Sequence, residues 1–389
     1  MDRGILKINK FILFVLSISG IFLNFSLNNN VERKYAQGVE IIINHLKPNQ
    51  TKGKSSTFSL EKVLTIDTER ADLASAGMGV AGEYDVDLAG NIYIVSFKNK
   101  ENFVYKFNNK GKLIHSFGKY GQGPGELEWP LRPTIIGQNK IAIMDRLRKK
   151  LTIFDSNGNL ISEKIVPMAT EIEPLENGNY LMERFKREHF APEYYTKSLY
   201  LCDSKFNEIK ELDEYKSPFE NTKLVPFFMW RVSAGYIYIV NEERGYEIWV
   251  YDLDGNLIRK IRKKYHSVTA TEEIKRLFFG PGYRKSGDSH DKYFPKPLPP
   301  LNQFFTDDEG RIYVMTYEVG KEPGEYIYDI FNREGVFIGR KSLNIFWARL
   351  FYGPKYTMAK KGYLYCYKEK ESGYRELNVY KMKWFLSDK

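Results

Sequence analysis

Apolar and aromatic positions along this chain fall in short runs separated by turns, and one phrase recurs. A turn residue, Gly or Asn, precedes an alternating β-type run in "GNIYIVSF" (90–97), "NKIAIMDR" (139–146), "GNYLMERF" (178–185), "GYIYIVNE" (235–242), "GRIYVMTY" (310–317) and "GYLYCYKE" (362–369). A second phrase follows each, with an aromatic before a turn: "VYKFNNKG", "LTIFDSNG", "LYLCDSKF", "WVYDLDG", "YDIFNREG" and the truncated "NVYKMK". A third run comes after the turn in the first five copies, as in "KLIHSF" and "NLIRKI". A short run such as "YDVDL" or "NQFFTD" precedes each copy. The repeating unit is therefore four short antiparallel strands joined by tight turns.

The first aligned residues, Ile92, Ile141, Tyr180, Ile237, Ile312 and Leu364, are spaced by 49, 39, 57, 75 and 52 residues. Those intervals bracket one four-stranded propeller blade plus loop insertions. The runs are apolar on both faces, as a blade held between two neighbours requires, whereas a sandwich strand would show one polar face. The pattern predicts an all-β fold, a six-bladed β-propeller of four-stranded antiparallel blades. The sixth copy lacks its outer strand, and the unassigned run "FSLEKVLTID" (58–67) is expected to supply it, pairing near Leu377–Tyr380.

Between the first and second copies lies "FGKYGQGPGELEWP" (117–130), dense in Gly and Pro, where the chain crosses from the rim to the axis. With "IAIMDRLRKKLTIFDSNG" it resembles an NHL-type propeller repeat, through Phe117, Gly118, Gly121, Gly123, Pro124, Gly125, Pro130, Asp145, Phe154, Asp155 and Gly158. One repeat matches well and the other five loosely. The resemblance implies the fold and says almost nothing about function.

Upstream of the repeats, Arg3, Lys7 and Lys10 precede "FILFVLSISGIFLNFSL" (11–27), the layout of a signal peptide or signal-anchor. The expected organisation is an export segment at 1–27, a polar linker at 28–57 and the propeller at 58–389. The protein is thus expected outside the cytoplasm, whether periplasmic, secreted or anchored, and a membrane would be met only through an uncleaved N-terminal segment. The two cysteines, Cys202 and Cys366, stand where other copies carry core aromatics or Ile and Val, and are expected to be reduced and inert.

Aromatic residues, 28 Tyr and 26 Phe among 389, favour strands. The formal charge of +10 raises the question of nucleic acid, but Lys and Arg are interspersed with Asp and Glu throughout. A solvated mixed surface accounts for that pattern, and RNA binding conflicts with export. None of the five histidines recurs between copies, so no ring of metal ligands around an axis is indicated. There is no nucleophile elbow, P-loop or dinucleotide fingerprint, and "DLDGN" and "DSNGN" read as turns rather than calcium loops. No cofactor is expected.

Long insertions at 183–195, 213–231, 259–302 and 344–352 fall on one face of the predicted ring. That favours a non-catalytic binding or scaffold protein that recognises a protein, peptide or glycan there. A lyase or lactone hydrolase with a metal at the channel mouth is the alternative. The residues expected around the mouth are Arg132, Trp230, Arg231, Gln303 and Tyr356 on inner strands, with Arg146, Arg184, Arg244 and Arg349 on adjoining loops. Guanidinium forks with Trp or Tyr faces suit an anionic or glycan-like ligand. The 259–302 segment, with Thr271 capping a short helix, is expected to fold over the mouth as a lid.

Overall fold

Ile92–Phe97 is paired on one side with Val80–Val86 and on the other with Asn102–Phe107, and Leu113–Lys119 completes the first blade. A computed structural model describes residues 22–24, 30–49, 54–97, 101–137, 139–167, 169–187, 194–218, 228–272, 274–275, 297–345 and 357–388. Four more blades repeat this antiparallel order from inner to outer strand. Blade 2 runs from Pro130–Ile136 to Leu160–Ile165, and blade 3 from Glu171–Pro174 to Glu208–Pro218. Blade 4 runs from Phe228–Ser233 to Leu257–Lys263, and blade 5 from Gln303–Thr306 to Phe337–Leu343.

The second strand of each blade is the most enclosed, because it packs on both faces. Ile92, Tyr93, Ile94 and Val95 are all buried, although neighbours in a strand point to opposite sides. Tyr93 and Val95 meet Ile141 and Ile143 of blade 2, whereas Ile92 and Ile94 meet Tyr365 and Tyr367 of blade 6. Similar apolar layers join blades 2 and 3, 3 and 4, 4 and 5, and 5 and 6. The ring is closed by packing as well as by hydrogen bonds.

Blade 6 consists of Thr357–Lys360, Tyr363–Glu369, Arg375–Asp388 and, as its outer strand, Lys54–Asp67. The last two pair antiparallel with Leu377 opposite Ile66 and Tyr380 opposite Lys62, which is the closure expected from the sequence. The paired length continues to Asp388 opposite Lys54, further than 58–67 alone would reach.

The polar linker expected at 28–57 is corrected. Val31–Ala36 and Val39–Asn44 form a hairpin, turned by Gln37 (φ 52°) and Gly38 (φ 79°). Its second strand adds in parallel to the outer strand of blade 4, with Arg259 opposite Glu40 and Lys263 opposite Asn44. Phe22–Asn24 extends the same sheet beyond the hairpin. The cause is the alternation in "VEIIIN": Ile42 is fully buried with Val31 and Val336, so blade 5 is gripped as well. Asn44 fixes the register. Its amide donates to the carbonyls of Arg262 (3.1 Å) and Gly335 (3.0 Å), and its oxygen accepts from the Phe337 N–H (2.8 Å).

The Gly-Pro loop entering blade 2 is shaped around Leu127, which is completely buried. Gly118 sits at φ 72°, and a Cβ there would lie 2.8 Å from the Leu127 side chain. Asp145, also fully buried, gathers the loop from below. Its carboxylate accepts N–H bonds from Glu128, Trp129, Leu147 and Arg148. Cys202 and Cys366 are free and buried, and desolvation pushes their thiols up to about 11 and about 12.

Candidate site in the axial channel

The six inner strands converge on the axis and enclose a cavity of about 280 Å³. Each contributes: Asp85 from blade 1, Arg132 and Ile135 from blade 2, Glu171 and Glu173 from blade 3, Trp230 and Arg231 from blade 4, Phe305 and Thr306 from blade 5, and Met358 and Lys360 from blade 6. The lining continues through Glu176, Ala234, Gly235 and Asp308, in the turns leading from inner to second strands. The cavity therefore occupies the half of the channel nearest those turns, away from the face that carries the long insertions.

Carboxylates and cations alternate around this wall, and most are matched. Arg132 forms an ion pair with Glu173 across blades 2 and 3. Asp85 accepts the backbone N–H of Ile135 and of Val86, each at 2.7 Å, and Lys360 Nζ at 3.1 Å. Desolvation pushes the Glu173 carboxyl up to about 7, against the pull of Arg132 and with the help of Asp85 and Glu171. Arg132 is held above its ordinary value: burial opposes its charge, but Glu173, Glu171, Asp85 and Glu83 outweigh it.

Arg231 is the exception. Its Nη1 donates to the Trp230 carbonyl at 2.6 Å, and its guanidinium lies 5.7 Å from the Phe304 ring centre. Its Nη2 is buried with no hydrogen-bond partner among the described residues. Desolvation, and then the charge of Arg132, lower it to about 10, with partial relief from Glu171 and Glu173. It remains a cation at neutral pH. Trp230, beside it, is buried with its indole N–H bonded to Glu183 at 3.1 Å, so the ring is locked as a wall.

Of the residues singled out in the sequence, Arg132, Trp230 and Arg231 are brought together here. Gln303 is buried on the inner strand of blade 5, with its amide 3.2 Å from the Met315 sulfur rather than along this cavity. Arg184 pairs with Glu208 over the Tyr200 ring at the rim side of blade 3. Arg244 pairs with Asp213 and stacks on Trp249 at 3.9 Å, between blades 3 and 4. Arg146 is exposed in the turn after the second strand of blade 2. Arg349 and Tyr356 lie outside the described residues.

The middle of the expected lid, 276–296, also lies outside them. Thr271 does accept the Ile274 N–H at 3.2 Å. The flanks of the segment meet where the Leu298 N–H donates to the Val268 carbonyl. Tyr265, His266, Val268 and Pro300 line a second cavity of about 280 Å³, off the axis, with Tyr246, Lys263, Asp329 and Arg340 of blades 4 and 5. Asp85, Glu171, Glu173 and Lys360 were missed in the sequence. Asp85 matches Met358 of blade 6 in the repeat, and Lys360 stands two positions further on, so the repeat alignment did not point to the pair.

Among the described residues, no three His, Cys, Asp or Glu side chains converge as a metal ion would need. No described helix is long and apolar enough to cross a membrane.

The fold and this axial cavity define a six-bladed β-propeller with a polar channel. The profile of a family described as a 6-bladed beta-propeller, DUF5128, matches residues 34–226. A putative exported protein from Bacteroides fragilis has a similar structure, at TM-score 0.50 and 13% identity over 88% of this chain and 99% of that one. A member of the duf4221 family from Bacteroides vulgatus is similar at TM-score 0.53 and 10% identity, over 86% of this chain and 100% of that one. At such identities the likeness is one of fold. No curated protein matches the sequence.

Proposed function

We propose that this chain is an exported, non-catalytic binding propeller that takes an anionic group of a peptide, protein or glycan in its axial channel. The observation that carries the reading is Arg231, a buried cation whose Nη2 has no hydrogen-bond partner among the described residues, in a cavity where most of the charged neighbours are matched. Leaving such a group unpaired costs free energy, and a carboxylate reaching in would complete its fork with charge-assisted bonds. Trp230 and Phe305 offer ring surface beside it for a sugar or an apolar side chain.

The basic-then-apolar N-terminus supports export, and so does the shared architecture with a solved protein described as exported. The Gly-Pro loop of blade 2, with Asp145 collecting its amides, supports placing the repeats with the NHL type.

Calorimetric titration of the purified protein with acidic peptides and uronate-bearing oligosaccharides tests the reading. Binding by at least one class, weakened about tenfold or more in Arg231→Gln, is expected for a lost charge-assisted pair. Ligands that bind Arg231→Gln undiminished would remove the axial assignment.

A further inference from the structure

We propose that the edge of blade 4, formed by Leu257–Lys263 and the N-terminal hairpin, is a membrane-surface contact that holds the propeller edge-on against anionic lipid headgroups. Phe22–Asn24 pairs with Arg33–Tyr35 and is the edge strand of this sheet, so Phe22 stands at its free edge. The apolar residues then left ahead of it are Phe11–Ile21. At 1.5 Å per residue such a run reaches about 17 Å if helical, roughly half the hydrocarbon core. It suits insertion into one leaflet better than a span, and one apolar element of that size needs a second attachment.

The edge beside it supplies one. Residues 31–47 and 257–266 hold eight Lys and Arg and two Glu, hence six of the chain's ten net positive charges. Some are neutralised locally: Arg33 and Arg259 pair with Glu40, Lys34 with Glu32, Arg262 with Glu247 and Lys263 with Asp329. Lys47 and Lys264 are exposed, and neither they nor Lys260 has a carboxylate partner among the described residues. Lys260 lies 4.3 Å from the Trp249 ring centre. By register, Lys260 and Arg262 share a sheet face with Ile41, Ile43 and Trp249, all half-buried. Cations around short apolar and indole surface are the composition of a headgroup-level contact. An acidic protein would satisfy the charges alone. The apolar run that directly precedes this edge strand in the sequence favours lipid.

Vesicle flotation of the full chain tests this, using phosphatidylcholine alone and phosphatidylcholine with phosphatidylglycerol. Stronger binding to the anionic vesicles, lowered by salt, is expected, and Lys47→Glu/Lys260→Glu/Lys264→Glu should weaken it about tenfold or more. Should that variant fail to fold, Lys47→Gln/Lys264→Gln, which alters only exposed side chains, should still show a several-fold loss. Equal binding to both vesicles, no binding to either, or variants that fold and float like the natural chain would overturn the proposal.

Discussion

Arg132 on the inner strand of blade 2 and Glu173 on the inner strand of blade 3 form an ion pair inside the axial channel. Desolvation, helped by the nearby charges of Asp85 and Glu171 against the pull of Arg132, lets the folded protein keep the Glu173 proton up to about pH 7, whereas a free glutamate loses it near 4.5. Between those values the folded state binds the extra proton, so this group's contribution to stability falls as pH rises. Urea unfolding at several pH values should show the natural protein losing on the order of 1–3 kcal/mol relative to Glu173→Gln across that window. Parallel pH dependences for the two proteins would contradict the raised value. Below pH 7 the protonated Glu173 also frees Arg132, so anion binding in the channel should strengthen from pH 8 to pH 6.

Arg231 should oppose stability while it serves binding. A buried guanidinium without a full set of partners costs more than an apolar side chain of like size. Arg231→Met is expected to raise the unfolding free energy by about 1–2 kcal/mol and to weaken ligand binding in the same protein. Chemical denaturation reads the first effect and titration the second. A loss of stability on this substitution would mean that the guanidinium is already satisfied.

Asp145 carries structure, not ligand. Four N–H groups from Glu128, Trp129, Leu147 and Arg148 end on its buried carboxylate. Removing the acceptor strands several buried donors at once, and Asp145→Ala should cost about 3 kcal/mol in denaturant unfolding. Ligand binding by the fraction that remains folded should be unchanged.

Asn44 pins the N-terminal hairpin to blades 4 and 5 through three hydrogen bonds. Asn44→Ala is expected to cost about 2 kcal/mol locally. Amide exchange should quicken over Val31–Asn44 and Leu257–Lys263 while the second strands of blades 1 and 2 keep their protection. Uniform quickening would show that the hairpin is part of the closed ring's cooperative unit.

The blades were legible because each needs apolar residues on both faces, a pattern that survives weak sequence repetition. Closure was legible too, since a sixth copy without an outer strand leaves one place and "FSLEKVLTID" was the run available to fill it. The hairpin at 31–44 was hidden by its surroundings: Asn28–Asn30 and "KPNQTKGKSST" make the stretch polar on average, although Val31 and Ile42 become core. Around the axis, Arg132, Trp230 and Arg231 were found by alignment of inner strands. Their matching acids were not, because "EIEP" at 171–174 is a four-residue strand with little pattern to align. Where the axial cavity lies depends on side-chain volumes from six separate strands, which no single stretch of sequence records.

The most direct test of the account is a crystal structure of the protein with the tightest ligand found by titration. A carboxylate of that ligand is expected within hydrogen-bonding distance of Arg231 Nη2, about 2.7–2.9 Å, in the turn-side half of the channel between Trp230 and Phe305. A ligand seated on the insertion-bearing face, with Arg231 left as it stands, would contradict it.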